Sequence, residues 1–352
     1  MNFGANHYVP VLKAKRGEKA ALQRIQPSAR KRITPLIQIV ERSDKPIDAH
    51  LKTCFSKLGI SLSGYTRCFL DAQELASDGP EGARRVFERA FEEGLPFTPV
   101  TGVTRIADVA AAMAYRQNGL ALRLTRSEFE SGSLESLVED FLDSHALAAS
   151  DVDLIVDLGA VTEMIAAGVS ALTEAFLADV PRPQEWRTMT VSACAFPISM
   201  GDVARHSHDF VERADWLSWR DSLHSNRHVL QRLPTFSDYA IQHPAGVEGF
   251  DPRIMQVSAA IRYTTDTHWL LVKGESTRST RPGEQFPELA TRLVYGHLHR
   301  YFAGANHCSG CKSIKDAADG EPGYGSAEAW RRLGTIHHVS EVMLALDSLP
   351  WP

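Results

Sequence analysis

Charged and hydroxyl side chains recur in this chain where short apolar runs end. Lys13 closes residues 8–13, Gln38 stands near the end of the next run and Glu41 just after it, and Asp71 and Thr101 end the two after that. Arg123, Asp157, Ser192 and the pair Asp238 and Tyr239 take similar places further on. Such a mixture of acids and bases could hold a charged substrate and move protons. The plainer alternative is that these groups pair with one another or cap the following helix, as Asp157 could do before Gly159.

Three further groups have chemistry-bearing residue types. The segment His307-Cys308-Ser309-Gly310-Cys311, with His297 and His299 upstream, offers soft ligands, but a structural zinc needs two pairs that converge tetrahedrally. His297 and His299 stand two apart in an expected helix and so point to different faces. Cys308 and Cys311 are therefore read as free thiols in a polar loop, weak candidates for metal. His337 and His338 could be an acid/base and its orienter, ligands of a metal, or one buried histidine and one at the surface. Arg262, Lys273, Arg278 and Arg281 surround an expected hairpin and could bind phosphate, or simply guard a sheet edge. Cys194, among small residues in mid-strand, reads as an inert buried thiol. No nucleophile elbow, phosphate loop, HExxH or deaminase signature is present.

The elements that must position these residues alternate. Apolar runs at residues 8–13, 34–40, 67–71, 97–101, 119–124, 151–158, 187–196 and, more weakly patterned, 236–241 are separated by amphipathic stretches long enough for one crossover helix each. Near-continuous apolar strands are covered on both faces, as in a parallel sheet. Eight such units predict an α/β fold, a (β/α)8 TIM-barrel-like core over residues 1–245. An open doubly wound sheet is the alternative, disfavoured because no glycine-rich phosphate loop follows the first strand. Residues 246–352 read as a C-terminal hairpin (258–264 and 268–273), a helix over 285–302, a long loop over 303–325 and helices over 327–333 and 338–346. This part is expected to pack on the barrel rather than fold alone.

The 352 residues carry a net charge of -5 and are 43% hydrophobic, ordinary values that speak against nucleic acid as a partner. No signal peptide or bilayer-length apolar run is seen, so no membrane is expected. Five scattered cysteines suit a reducing compartment, and a cytoplasmic location is expected.

Taken in order, YVPVLKAKRGE (8–18), TPLIQI (34–39), DLIVDLG (153–159), CAFP (194–197), SDYAIQHP (237–244), AIRYTTDTHWLLVKG (260–274) and AWRRLGTIHH (329–338) resemble the phage beta-protein family. The resemblance points to Lys13, Lys15, Asp157, Asp238, Tyr239, Arg262, Tyr263, Trp269, Trp330, Gly334, His337 and His338. Two departures are Gln38, where the family commonly has glutamate, and Cys311, near which it often has aspartate. The family setting implied is a phage-encoded module that excludes or aborts infection by competing phages. Two functions are then weighed. One is a hydrolase of phosphodiester type, its cofactor unspecified though a divalent metal is possible. Lys13, Asp157, Tyr239, His337 and His338 would be catalytic, and Lys15, Glu41, Asp71, Arg123, Arg262, Lys273 and Trp330 would hold a phosphate-containing ligand. The other is a sensor that recognises a phage component or a co-encoded partner without turnover.

Overall fold

A computed structural model describes residues 2–245, 258–276 and 283–351. Eight parallel strands close into a barrel: β1 (Tyr8–Lys13), β2 (Leu36–Gln38), β3 (Cys68–Asp71), β4 (Phe97–Thr101), β5 (Leu120–Thr125), β6 (Val152–Ala160), β7 (Thr188–Cys194) and, after an interruption, β9 (Thr235–Asp238). β9 pairs with β7 (Val191 opposite Phe236) and with β1 (Tyr8 opposite Phe236), so the least strongly patterned run is the one that closes the barrel. Strands β1 to β5 and β7 are buried along nearly their whole length, as expected of a sheet with packed side chains inside and helices outside.

The interruption is β8 (His208–Glu212), which leaves the barrel and pairs with β11 (His268–Ser276) of a hairpin whose other strand is β10 (Ser258–Thr264). The second sheet therefore takes strands from both sides of residue 245. Three expectations for the C-terminal part need correction. The stretch rich in Gly, Ser and Asp contains a helix, Ser309–Ala318, because Gly310, Cys311, Ile314 and Ala317 recur at helical spacing and bury one face. The last two helices are one, Ala327–Ser348, running through Gly334. A Cβ there would lie 2.8 Å from the Arg262 carbonyl, so the close packing that needs glycine outweighs its low helix propensity. The helix expected over 285–302 ends at Val294. Arg278 and Arg281 lie outside the described residues.

Barrel closure and the C-terminal layer meet at Asp238. Its carboxylate accepts the Tyr8 hydroxyl of β1 (2.6 Å), the Ala240 amide (2.9 Å) and His338 Nε2 from the terminal helix (2.8 Å). The Ala240 bond helps hold a non-glycine residue at φ +53, in the left-handed region. Burial keeps His338 below its ordinary pKa despite the adjacent carboxylate, so it donates as a neutral imidazole, with Nδ1 3.0 Å from the Thr264 hydroxyl. Removing the shared acceptor strands a buried phenol and a buried imidazole. Asp238→Ala is expected to lower the unfolding free energy by about 2–6 kcal/mol, about 1–3 for each of the two buried groups left unpaired, read from urea denaturation. A loss under about 1 kcal/mol, the net worth of one ordinary hydrogen bond, would contradict this role.

Candidate functional site

The polar residues at the carboxyl ends of the strands form two groups inside the barrel mouth. The first crosses the barrel. Arg123 on β5 donates to Asp157 on β6 (Nε, 2.9 Å), to Asp71 on β3 (Nη1, 2.7 Å) and to the Tyr239 hydroxyl beyond β9 (Nη2, 2.6 Å). Tyr239 in turn donates to Asp157 (2.7 Å), and Arg105 bonds Asp71 (2.7 Å) and Asp108. These strands are not all neighbours, so the contacts must run through the interior. Asp157 Oδ1 and Asp71 Oδ1 also accept the amides of Gly159 and Gln73. Every carboxylate oxygen of Asp71 and Asp157 is thus engaged. Burial alone would raise the Asp71 carboxyl, but Arg105 and Arg123 together bring it down to about 2.

The second group lies beside β1 and differs in charge balance. Lys13 is buried, its ammonium donating to the Pro244 carbonyl (2.6 Å), and burial lowers its pKa. Glu18 is buried nearby; with its amide nitrogen toward Glu18, Gln242 donates to Oε1 (3.1 Å) and accepts from the Lys13 amide (3.3 Å). From the C-terminal layer come Arg262, which donates to the Ile241 carbonyl (2.7 Å) with its guanidinium 5.1 Å from the Phe196 ring centre, and Arg331, which packs on Gly17. Burial pushes Arg262 well below its ordinary pKa and the charge of Arg331 adds to this; burial lowers Arg331 too. Among the described residues none of Lys13, Arg262 and Arg331 has a carboxylate within salt-bridge distance; Glu18 is the acid felt by Arg262 and Arg331, while Lys13 feels Glu74 more strongly than Glu18. Gln38 Oε1, opposite Lys13 in register, is buried without a donor. A cleft of about 460 Å³ opens at this side, lined by Lys15, Gly17, Glu18, Lys45, His50 and Arg331 among others.

The other sequence candidates are placed elsewhere. Glu41 is exposed. Lys273 ties down the Met200 and Val203 carbonyls (2.6 and 2.7 Å). Trp330 is buried, stacked on Phe286 and bonded to the Tyr324 carbonyl (2.6 Å). His338 turns to Asp238, whereas His337 turns away, to the Thr264 carbonyl and to Cys308 and Cys311, which are buried rather than loose in a loop. His297 packs at a tilt against His208 and His299 bonds the Val294 carbonyl, both apart from the cysteines. Glu18, Gln242, Arg331 and Arg105 were not singled out from sequence. Glu18 and Arg331 do stand inside the segments 8–18 and 329–338, but nothing in their spacing marks a shared site.

A larger cavity, about 630 Å³, lies at the opposite end, lined by Arg67, Arg116, Gly119 and Arg187 among others. There Arg67 and Arg187 both bond Asp153 (2.7 and 2.6 Å), which braces the base of the barrel. A Cβ at Gly119 (φ +92) would fall on the Arg187 guanidinium. Position at the amino ends of the strands and this shared ion pair make it a stabilising feature, despite its size.

The molecule is a closed (β/α)8 barrel with a charged mouth partly built by a C-terminal layer, and no helix among the described residues is long and apolar enough to cross a membrane. The chain belongs to the Beta protein family, whose model matches residues 8–344. Comparison with curated proteins and with solved structures finds no match.

The depressed Asp71 carboxyl gives a pH signature. Its stabilisation is fully present above the unfolded value of 3.8 and is lost as pH falls toward about 2. The shift corresponds to about 2 kcal/mol. Asp71→Asn is expected to lower stability at neutral pH by at least about that amount and to flatten the acid limb, measured by urea unfolding at a series of pH values. An unchanged acid limb in the variant would remove Asp71 from this role.

Proposed function

We propose that the β1 side of the barrel mouth is a receptor site for a phosphate-bearing anion, which it binds without turnover. The observation that carries this reading is the excess of cation: Lys13, Arg262 and Arg331 each bear on the one buried carboxylate Glu18, none within salt-bridge distance of it, and only Lys13 feels a second acid, Glu74. Holding unpaired cations away from water is costly, and an anion that bonds them removes the cost. Lys15 and Lys45 at the cleft add long-range attraction, and Gln38 Oε1 offers an acceptor to a hydroxyl of the same ligand.

Binding is favoured over hydrolysis because the groups that would hold a metal or accept a proton are engaged. Both oxygens of Asp71 and Asp157 accept hydrogen bonds, both ring nitrogens of His338 have partners, and His337 faces away from the mouth toward Cys308 and Cys311. In the setting the family resemblance implies, a module that excludes competing phages, such a site would read a phosphorylated signal or phage component and pass it to a neighbouring protein.

Inorganic pyrophosphate is a suitable probe by titration calorimetry. Saturable binding is expected, weakened about 10- to 100-fold in Arg331→Gln and in Arg262→Gln, as follows from losing one charge-assisted hydrogen bond of about 1.5–3 kcal/mol. The exposed Lys15→Gln should cost less. Equal affinity in the arginine variants would refute the site, and Lys13-dependent release of phosphate would refute binding without turnover.

A further inference from the structure

We propose that His307, Cys308, Cys311 and His337 bind one zinc ion, closing a Cys2His2 site that clamps the Ser309–Ala318 helix to the terminal helix. Cys308 Sγ, Cys311 Sγ and a ring nitrogen of His337 all lie within 4.8 Å of one another. His337 Nδ1 is 3.2 Å from Cys311 Sγ and 3.9 Å from Cys308 Sγ. A tetrahedral zinc with the usual bond lengths requires sulfur-to-nitrogen edges of about 3.6 Å, midway between these.

Several features orient the set. His337 Nε2 stands 2.7 Å from the Thr264 carbonyl, which fixes the proton there and leaves the Nδ1 lone pair facing the sulfurs; a ligating histidine is ordinarily held this way. The Cys311 amide points at Cys308 Sγ (3.3 Å), so the two cysteines share one turn at the start of their helix. Between them, Gly310 lets that turn press on its neighbour, since a Cβ would lie 2.7 Å from the Leu333 carbonyl and 3.2 Å from the His337 amide. His307 completes the set. Its ring centre is 5.2 Å from that of His337, and its ligand atom lies within 4.8 Å of those of His337 and Glu341 in a group that includes neither sulfur; Glu341 Oε2 is 2.9 Å from His307 Nε2, so the ring must turn from Glu341 to supply the fourth ligand.

A reversible dithiol is a poorer reading, because both cysteines are buried (5% and 0% exposed) and the Tyr263 hydroxyl covers Cys311 at 3.3 Å. On binding, the two thiols give up their protons to solvent and the two thiolates neutralise the dication. With four protein ligands the site is closed and structural rather than catalytic. His337 would then be fixed to the metal while its neighbour His338 is fixed to Asp238.

The full chain, purified without added chelator, is expected to carry about one zinc per molecule by elemental analysis. The cobalt-exchanged protein should show the intense visible bands of tetrahedral cobalt with thiolate charge transfer in the near ultraviolet. Cys308→Ser and Cys311→Ser should abolish the charge transfer, and His307→Gln should alter the visible bands. The cobalt spectrum of the unaltered chain decides even if a cysteine variant fails to fold. A folded chain that holds no zinc and takes up no cobalt, or that isolates with a Cys308–Cys311 disulfide, overturns the proposal; an unaltered spectrum in His307→Gln overturns the fourth ligand.

Discussion

One carboxylate, Asp238, sits where the last barrel strand must reach the first and where the terminal helix must land. A (β/α)8 barrel closes only if β9 finds β1, and here the Tyr8 hydroxyl and the β1 to β9 ladder meet at this residue. The same carboxylate receives His338, so closure and docking of the C-terminal layer are satisfied by one buried group. Burying an acid is costly unless its lone pairs are filled. Filling them needs residues 230 positions upstream and 100 downstream, which couples distant parts of the chain energetically.

That docking sets the charge of the mouth. The barrel alone brings Lys13 and Glu18 to the end of β1; the C-terminal layer adds Arg262 and Arg331 beside them. The neighbouring Asp71, Arg123, Asp157 and Tyr239 are balanced and closed on themselves, a rigid plug rather than a reactive set. One half of the mouth is thus finished by its own hydrogen bonds and the other is left with cations in excess.

The barrel was legible because buried parallel strands announce themselves as apolar runs: β1 and β4 fall where the sequence places them, and all eight barrel runs are strands. β8 was not, since His208–Glu212 is only partly buried and carries polar residues on both faces. The Ser309–Ala318 helix was hidden by loop-like composition, and its buried face shows only once Gly310 is seen against the terminal helix. Among site residues, Lys13 and Arg262 could be picked out by type and place. That the strand-end acids pair with bases was one of the two readings, but which partners Asp71 and Asp157 take could not be read, because their arginine and tyrosine partners stand 34 to 82 positions away. His337 illustrates the same limit: an acid/base with its orienter was one reading of the adjacent histidines, yet they face different partners, Cys311 and Asp238.

Hydrogen–deuterium exchange with and without inorganic pyrophosphate tests most directly whether the barrel and the C-terminal layer build one anion site. Slower exchange is expected together in peptides covering residues 13–18, 238–244 and 331–338, with the base of the barrel around Arg67, Gly119 and Arg187 unchanged. Protection confined to that base, or to the barrel without the terminal helix, would contradict a shared mouth.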